Sequence, residues 1–321
     1  MQHSPAFDAV IFDIDNVLID TRPSYLEAIR WTIDIYLTNS TVPFFRMHKK
    51  SRDPQILSPE HVEQFKLLGG FNDDWDCCYG LLIYLLSLEV KTRNVEHLHK
   101  AVNLKAFAKK VKERPLKING IVKILGNPQA ITIERISRIF QEIYLGKDLF
   151  QATEKKRPVF WKKQGLIRKE KLIFKKSFLE GLKDHGVHLG IATGRPHFEA
   201  VHTLRHFAVL DLFEAMTTIT EVKKAEQEMK HSLRKPHPYS LLETAKKMGA
   251  KKRFLYVGDL PDDILAAQKA AHSLNIKSAG FPLASADIKT TSEELKKARP
   301  DFLLKTKADL ANVILKGKLT S

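Results

Sequence analysis

Four short apolar runs along the chain have the length and composition of buried β-strands. They lie at residues 8–12, 187–192, 254–257 and 276–279. Apolar runs of this length without polar alternation are typical of parallel strands that are covered on both faces. Helical periodicity accompanies the later runs, at residues 176–185, 198–207, 238–248 and 262–272. This alternation predicts an α/β fold with a Rossmann-like, doubly wound parallel sheet.

A long segment with a mainly helical pattern separates the first strand from the others. Helices are predicted at residues 25–37, 61–68, 79–88 and 131–145, whereas residues 38–60 are irregular and rich in Pro, Ser and Asn. The sequence therefore predicts an α/β core formed by residues 1–20 and 171–321, with an inserted helical domain at residues 21–170.

The composition is that of a globular protein with excess positive charge. The chain has 321 residues, 43% of them hydrophobic, and 53 Lys and Arg against 37 Asp and Glu. Disordered, collagen-like and disulfide-rich proteins are excluded. The two cysteines, Cys77 and Cys78, are adjacent and match no metal-ligand spacing. No apolar run is long enough to span a membrane, and the strand near Ala9 leaves no room for a signal peptide. We expect a soluble, cytoplasmic protein with reduced thiols.

Most of the positive charge lies in one segment. Residues 91–175 contain 22 Lys and Arg against 7 Asp and Glu. Such a field can steer phosphorylated small molecules or hold a nucleic acid backbone, and it is also compatible with solvated helix faces. Aromatic residues in the segment form no repeating pattern of the kind that stacks on bases, so nucleic acid binding is the less favoured interpretation.

Two carboxylates, Asp13 and Asp15, follow the first apolar run. Their spacing of two directs both to one side of an extended chain. Two acids this close favour either a divalent metal or a shared proton, although acidic turns are also common without either.

Three later motifs carry further polar groups: a hydroxyl, an ammonium and additional carboxylates. Thr193, Gly194 and Arg195 follow the second apolar run, where a hydroxyl and a close backbone approach suit a phosphoryl oxygen. Lys235 precedes Pro236 in a segment that cannot be helical. Asp259, Asp262 and Asp263 follow the third run, and Asp263 opens a helix. Because a parallel sheet brings the carboxyl ends of its strands to one edge, these motifs are expected to meet.

The four motifs, in this order, resemble those of the haloacid dehalogenase-like hydrolase superfamily. The resemblance covers residues 1–20 and about 170–315. The inserted region is similar to the branch with a helical cap after the first motif, in particular to a phosphoglycolate-phosphatase-like subgroup. Its matching phrases lie at residues 69–76 and 140–146.

The resemblance implies a role for each motif. Asp13 would be the nucleophile that forms an aspartyl phosphate, and Asp15 would act as general acid and base. Mg²⁺ would be held by Asp13, Asp259, Asp263 and the main-chain carbonyl of Asp15. Thr193 and Gly194 would bind phosphoryl oxygens, and Lys235 would add positive charge. Arg195 would either contact the substrate or pair with a carboxylate. Asp262 would either support the metal ligands from behind or be an alternative metal contact.

Several residues in or near the predicted cap are candidates for contact with substrate. Asp20 and Arg22 lie at the entry to the cap and are candidates to reach substrate, and Arg22 is alternatively a solvated hinge residue. The loop at residues 69–74 either closes over the leaving group or contributes Phe71 to the cap core, together with Trp75. The histidines, including His197, His231 and His237, lack ligand spacing and are expected at the surface or at helix ends.

The function implied is a Mg²⁺-dependent phosphatase acting on a small phosphorylated metabolite. A phosphomutase would share every core motif, and a basic nucleic-acid-binding protein is the alternative from another class. The resemblance leaves both the substrate and the oligomeric state open.

Overall fold

The computed structural model describes residues 4–39, 44–46, 53–71, 73–111, 115–126 and 131–319. The chain divides into two compact units, one formed by Met1–Asp20 with Lys171–Ser321 and the other by Thr21–Glu170. Of the segment expected to be irregular, residues 40–43 and 47–52 lie outside the described residues, as does Asn72 in the loop at residues 69–74.

The first unit is built on a parallel sheet. In the described part of the chain this sheet has six strands in the order β5-β4-β1-β6-β7-β8. Their bounds are Ala9–Phe12 (β1), His188–Ala192 (β4), Ala215–Thr217 (β5), Phe254–Gly258 (β6), Ile276–Gly280 (β7) and Phe302–Leu303 (β8). Two short strands, Ile19–Asp20 (β2) and Lys171–Leu172 (β3), form a separate antiparallel pair. The predicted doubly wound α/β fold is confirmed.

Strand β1 lies at the centre of the sheet. It pairs with β4 on one side and β6 on the other, and its last residue, Phe12, is aligned with Ile191 and Val257. Val10 and Phe12 pack into one apolar cluster, whereas Ala9 and Ile11 pack into another. Both faces of β1 are therefore covered, which explains why its sequence is apolar without alternation.

Helices flank the sheet of the first unit. They are Lys176–Asp184 (α8), His197–His206 (α9), Ile219–Met229 (α10), Tyr239–Met248 (α11), Pro261–Ala270 (α12), Ile288–Ala298 (α13) and Lys307–Lys316 (α14), with a 3-10 turn at Leu210–Leu212. The four helices expected from periodicity correspond to α8, α9, α11 and α12. Strand β4 thus leads into α9 and strand β6 into α12, which places both loops at the carboxyl edge of the sheet.

The second unit is helical. It contains Glu27–Thr38 (α1), Pro59–Lys66 (α2), Asp74–Leu86 (α3), Val95–Ala101 (α4), Leu104–Lys110 (α5), Lys117–Leu125 (α6) and Ile133–Glu154 (α7), with a π-helical turn at Arg22–Leu26 and a 3-10 turn at Leu166–Lys169. Its core includes Tyr25, whose ring stacks on Tyr144 with 4.2 Å between centroids. Among the described helices, none combines the length and apolar character that a membrane span requires.

A buried carboxylate organises the loop that follows α7. Glu142 is fully buried, and its Oε2 accepts hydrogen bonds from the backbone N–H groups of Val159, Phe160 and Trp161 at 2.7, 2.6 and 3.1 Å. Its Oε1 accepts a hydrogen bond from Arg138 Nε at 2.5 Å. The charge of Glu142 is thereby balanced, and the loop backbone is fixed.

Candidate active site

Three carboxylates converge at the carboxyl edge of the sheet. One oxygen from each of Asp13, Asp259 and Asp263 lies within 4.8 Å of the others. Asp13 directly follows β1, Asp259 directly follows β6, and Asp263 lies in the first turn of α12. The central position of β1 beside β6 brings the first and fourth sequence motifs together.

The start of α12 fixes Asp263. Its Oδ2 accepts a hydrogen bond from the backbone N–H of Leu260 at 3.0 Å, and its Oδ1 accepts one from the Tyr256 hydroxyl at 2.9 Å. Gly258 allows this close approach, because a Cβ at that position would lie 2.3 Å from Asp263 Cβ. A glycine at the end of β6 is therefore required by the packing of the Asp263 side chain.

Lys235 places an ammonium group among the carboxylates. Its Nζ lies 3.1 Å from Asp13 Oδ2 and 2.9 Å from Asp263 Oδ1, and it donates to the carbonyl of Ala192 at 3.1 Å. Burial alone would lower the pKa of Lys235, but the attraction of Asp13 and Asp263 outweighs burial and raises it. Lys235 is therefore a permanent cation of the cluster.

Each oxygen of the Asp13 carboxyl group has a partner. Its Oδ1 accepts a hydrogen bond from the backbone N–H of Ile14 at 2.7 Å, while its Oδ2 faces Lys235. Burial raises the pKa of Asp13 to about 6, although Lys235 acts in the opposite direction. The group is thus held in a single orientation and is largely shielded from water.

Asn16 and Tyr256 belong to the cluster and are absent from the predicted site. The side-chain amide of Asn16 donates to Asp259 Oδ2 at 3.2 Å, and its backbone φ of 56° lies in the left-handed region that Asn tolerates. The Tyr256 hydroxyl lies 2.5 Å from Lys235 Nζ. A tyrosine inside an apolar strand usually requires a polar partner, which is the sequence signal that could have identified it.

Asp15 is paired with Arg195. Both Nε and Nη2 of Arg195 donate to Asp15 Oδ1, at 3.0 and 2.5 Å. The Arg195 side chain has no exposed surface, whereas 30% of the Asp15 side chain is exposed. Of the two roles left open for Arg195, the structure shows the pairing with a carboxylate.

Thr193 and Gly194 form the turn between β4 and α9. The buried Thr193 Oγ1 accepts a hydrogen bond from the backbone N–H of Arg195 at 3.2 Å. Because the hydroxyl is the acceptor in this bond, its hydrogen is not used there. Gly194 is exposed. Their neighbour Ala192 is the residue whose carbonyl receives a hydrogen bond from Lys235. This hydrogen bond joins the motif at residues 193–195 to the motif that contains Lys235.

The charge of the cluster fits a divalent cation. When ionised, the three carboxylates carry three negative charges, and Lys235 contributes one positive charge. Carboxylate oxygens are the ligands that Mg²⁺ prefers, and a cation would relieve the remaining repulsion. The side chains present therefore suit Mg²⁺.

Comparison with known proteins assigns this arrangement to a family. Residues 7–271 match the family model for haloacid dehalogenase-like hydrolases. The chain belongs to the haloacid dehalogenase-like hydrolase family. The predicted resemblance and the prediction of a hydrolase are both confirmed.

Individual relatives of this hydrolase align with part of the chain. It is 31% identical over 137 residues to the pyrophosphatase PpaX of Bacillus pumilus, an alignment that covers 42% of this chain and 56% of that protein. It is 26% identical over 196 residues to a candidate pyrophosphatase PpaX of Caldanaerobacter subterraneus, with coverage of 60% and 77%. Both relatives are therefore similar to a portion of the hydrolase rather than to its whole length.

Solved structures resemble the hydrolase over most of its length. The phosphatase Tt82 of Thermococcus thioreducens superposes with a TM-score of 0.56 at 22% identity, covering 89% of this chain and 98% of that one. A candidate phosphoglycolate phosphatase from Lactobacillus delbrueckii superposes with a TM-score of 0.55 at 15% identity, covering 97% and 99%. At these identities the likeness concerns the fold.

The other residues named from the sequence lie in varied surroundings. Asp262 is buried in α12 but is not part of the three-carboxylate group found among the described residues. Asp20 is aligned with Lys171 in the β2–β3 pair, and Arg22 begins the π-helical turn of the helical unit.

The three histidines named from the sequence have local partners. His197 lies 3.2 Å from Glu221, His231 contacts the carbonyl of Met229, and His237 accepts a hydrogen bond from the backbone N–H of Tyr239.

The loop at residues 69–74 has structural contacts inside the helical unit. Phe71 is buried in the core, and Trp75 packs against that core. Asp73 accepts a hydrogen bond from the backbone N–H of Trp75 at 2.9 Å and so caps α3, while Asp74 pairs with Lys66 at 2.6 Å. These contacts agree with the core interpretation of Phe71 and Trp75.

Proposed function

We propose that this hydrolase is a Mg²⁺-dependent phosphatase that cleaves a small phosphate monoester through a phosphorylated Asp13. The observation that carries the proposal is the position of Asp13, which is buried, oriented by the Ile14 N–H and paired with Lys235 beside two further carboxylates. The similarity to proteins named phosphatase and pyrophosphatase supports phosphate chemistry.

In the first step Asp13 forms a bond to phosphorus. A carboxylate oxygen of Asp13 attacks, the bond between phosphorus and the leaving oxygen breaks, and protonated Asp15 transfers its proton to that oxygen. Lys235 balances the charge that Asp13 carries before attack. The products of this step are the free alcohol and the aspartyl phosphate.

In the second step water releases the phosphate. Asp15, now a carboxylate, accepts a proton from water as the water oxygen attacks phosphorus, and the bond between phosphorus and Asp13 breaks. Asp13 is regenerated as a carboxylate and Asp15 as a protonated acid. In each cycle Asp13 carries one phosphoryl group from the substrate to water, and Asp15 gives one proton to the leaving oxygen and regains one from water.

Groups around Asp13 would bind the phosphoryl oxygens. The Thr193 hydroxyl, the backbone N–H of Gly194 and the Lys235 ammonium are the donors proposed for this role. Mg²⁺ would be held by Asp13, Asp259, Asp263 and the main-chain carbonyl of Asp15, and it would neutralise charge on the phosphoryl group.

The proposal is tested by phosphate release from a substrate panel. The panel contains sugar phosphates, phosphoglycolate, nucleotides and pyrophosphate, each with Mg²⁺ and with a chelator. We expect Mg²⁺-dependent release by the wild type, loss of release in Asp13→Asn, and normal release in the control Asp211→Asn, which changes an exposed acid. Absence of release by the wild type, or unchanged release in Asp13→Asn, would overturn the proposal.

A phosphomutase would use the same core residues. It would transfer the phosphoryl group of Asp13 back to a substrate hydroxyl rather than to water. Analysis of the products separates the two activities, because a mutase moves phosphate within a sugar and releases little of it. Free phosphate as the main product supports the phosphatase.

The basic segment at residues 91–175 is proposed to raise the rate at which anionic substrates arrive. Catalytic efficiency should then fall as ionic strength rises. A salt-sensitive gel shift with RNA that is lost when lysines of the segment are neutralised would instead support nucleic acid binding. We also propose a cytoplasmic location, which is consistent with the free thiols of Cys77 and Cys78.

A further inference from the structure

The pairing of Arg195 with Asp15 is asymmetric. Two N–H groups of one guanidinium reach the same oxygen, Oδ1, at 3.0 Å from Nε and 2.5 Å from Nη2. Within the described residues, no hydrogen bond to Asp15 Oδ2 is found. The side chain of Asp15 is 30% exposed. One oxygen is therefore fixed by Arg195, and the other is left available for a further hydrogen bond.

The guanidinium is itself held rigidly. Its side chain has no exposed surface, and its Nη1 donates to Thr203 Oγ1 on α9 at 2.9 Å. Arg195 also lies in the turn whose backbone is fixed by the hydrogen bond from its own N–H to Thr193. A planar guanidinium anchored in this way determines the rotation of the carboxylate that it binds.

From this geometry we propose that Arg195 is a positioning residue that aims Asp15 Oδ2 at the leaving oxygen and then at the attacking water. The inference rests on the proposed function, because it assigns to Asp15 the proton transfers described there. Proton transfer requires hydrogen-bond distance between the two oxygens, and a displacement of about 1 Å can cost about 100-fold in rate. A partly exposed Asp15 without Arg195 would rotate freely.

The test separates the two proton transfers by the choice of leaving group. An alkyl phosphate needs a proton on its leaving oxygen, whereas p-nitrophenolate departs from p-nitrophenyl phosphate without one. Water attack needs Asp15 with either substrate. Rapid-mixing measurements on the wild type, Arg195→Met and Arg195→Lys would follow the first turnover and the steady state for both substrates.

For Arg195→Met we expect turnover of the alkyl phosphate to fall by about 100-fold, with KM little changed. With p-nitrophenyl phosphate, we expect the first turnover to stay within about threefold of the wild type and to be followed by slow steady release, which is a burst of one equivalent per enzyme. Arg195→Lys keeps the charge but loses the planar fork, so the same pattern is expected with a smaller loss. Arg195→Lys also provides the test if Arg195→Met does not fold.

A double-mutant cycle with Asp15→Asn provides the second readout. If Arg195 acts through Asp15, Arg195→Met should cause no further loss of activity in the Asp15→Asn protein. The control is Arg138→Met, which breaks the ion pair with the buried Glu142 in the helical unit. It should lower stability without any dependence on the leaving group.

Equal losses with both substrates and no burst, or additive losses in the cycle, would overturn the positioning role while leaving the phosphatase intact. Absence of phosphate release by the wild type would overturn the proposed function, and this inference with it.

Discussion

Lys235 and Asp13 form a buried ion pair, with 3.1 Å between Nζ and Oδ2. The same ammonium lies 2.9 Å from Asp263, so a single cation is shared by two carboxylates from different motifs. The two carboxylates depend on the same ammonium group, because removal of that cation leaves two buried negative charges unpaired. Lys235 therefore contributes both to the stability of the sheet edge and to the charge of the site.

We expect Lys235→Met to lower the free energy of unfolding by about 3 kcal/mol, since it breaks a buried pair on one side. Phosphate release should fall by at least about 100-fold, since the ammonium group that faces Asp13 is lost. Urea denaturation and phosphate assays measure the two effects. Lys251→Met, which changes an exposed lysine, is the control, and a similar effect in both variants would contradict this role of Lys235.

Gly258→Ala should disrupt the site through packing alone. The new Cβ would lie 2.3 Å from Asp263 Cβ, so the Asp263 side chain must move, at a cost of about 1–3 kcal/mol. Activity should fall by about 100-fold because a group of the cluster is displaced. In Gly181→Ala nothing lies within 4 Å of the added methyl, and α8 should gain up to about 1 kcal/mol. Equal behaviour of the two variants would contradict the packing argument.

The pair formed by Asp8 and Arg253 predicts a dependence of stability on pH. Hydrogen bonds from Arg253 lower the pKa of Asp8 from 3.8 to about 2. Because this folded-state pKa is depressed, the stabilisation is present above about pH 4 and is lost as pH falls toward 2. Both side chains are partly exposed, so Asp8→Asn should cost only about 0.5–1 kcal/mol at pH 7.

Urea denaturation from pH 7 to 2 would measure the difference in unfolding free energy between the wild type and Asp8→Asn. This difference should shrink below about pH 4. A difference that stays constant down to pH 2, or one equal to that of Asp211→Asn, would show that the ion pair contributes nothing.

Glu142→Gln should loosen the loop at residues 157–163. An amide removes the negative charge that the three N–H donors and Arg138 share, at a cost of about 2–3 kcal/mol. Trypsin should then cleave after Lys162 and Lys163 at least about tenfold faster, because local opening exposes the loop. The exposed Glu154→Gln serves as the control, and equal cleavage rates would contradict the role of Glu142.

The sheet could be predicted where its strands are long and buried. Strands β1, β4, β6 and β7 have four or five residues each and show up as apolar runs. Strands β5 and β8, with three and two residues, are too short for any periodicity, and so are β2 and β3. Their place is set by pairing with neighbours, which single-sequence patterns do not encode.

Individual contacts of the candidate site were harder to predict than its motifs. The spacing of Asp13, Asp259 and Asp263 on strand ends predicts a common edge, and the structure brings them together. The choice of Asp15 as the partner of Arg195 depends on side-chain rotation, for which the sequence holds no signal. The contact of Asn16 with Asp259 likewise depends on a left-handed backbone at residue 16.

Direct detection of the phosphorylated enzyme tests the central claim most sharply. The protein would be mixed with substrate and Mg²⁺, quenched in acid within the first turnovers, and mapped by peptide mass spectrometry. We expect one phosphoryl group on Asp13, absent with chelator and absent in Asp13→Asn. A phosphoryl group on any other residue, or product formation by the wild type without phosphorylation of Asp13, would contradict this claim.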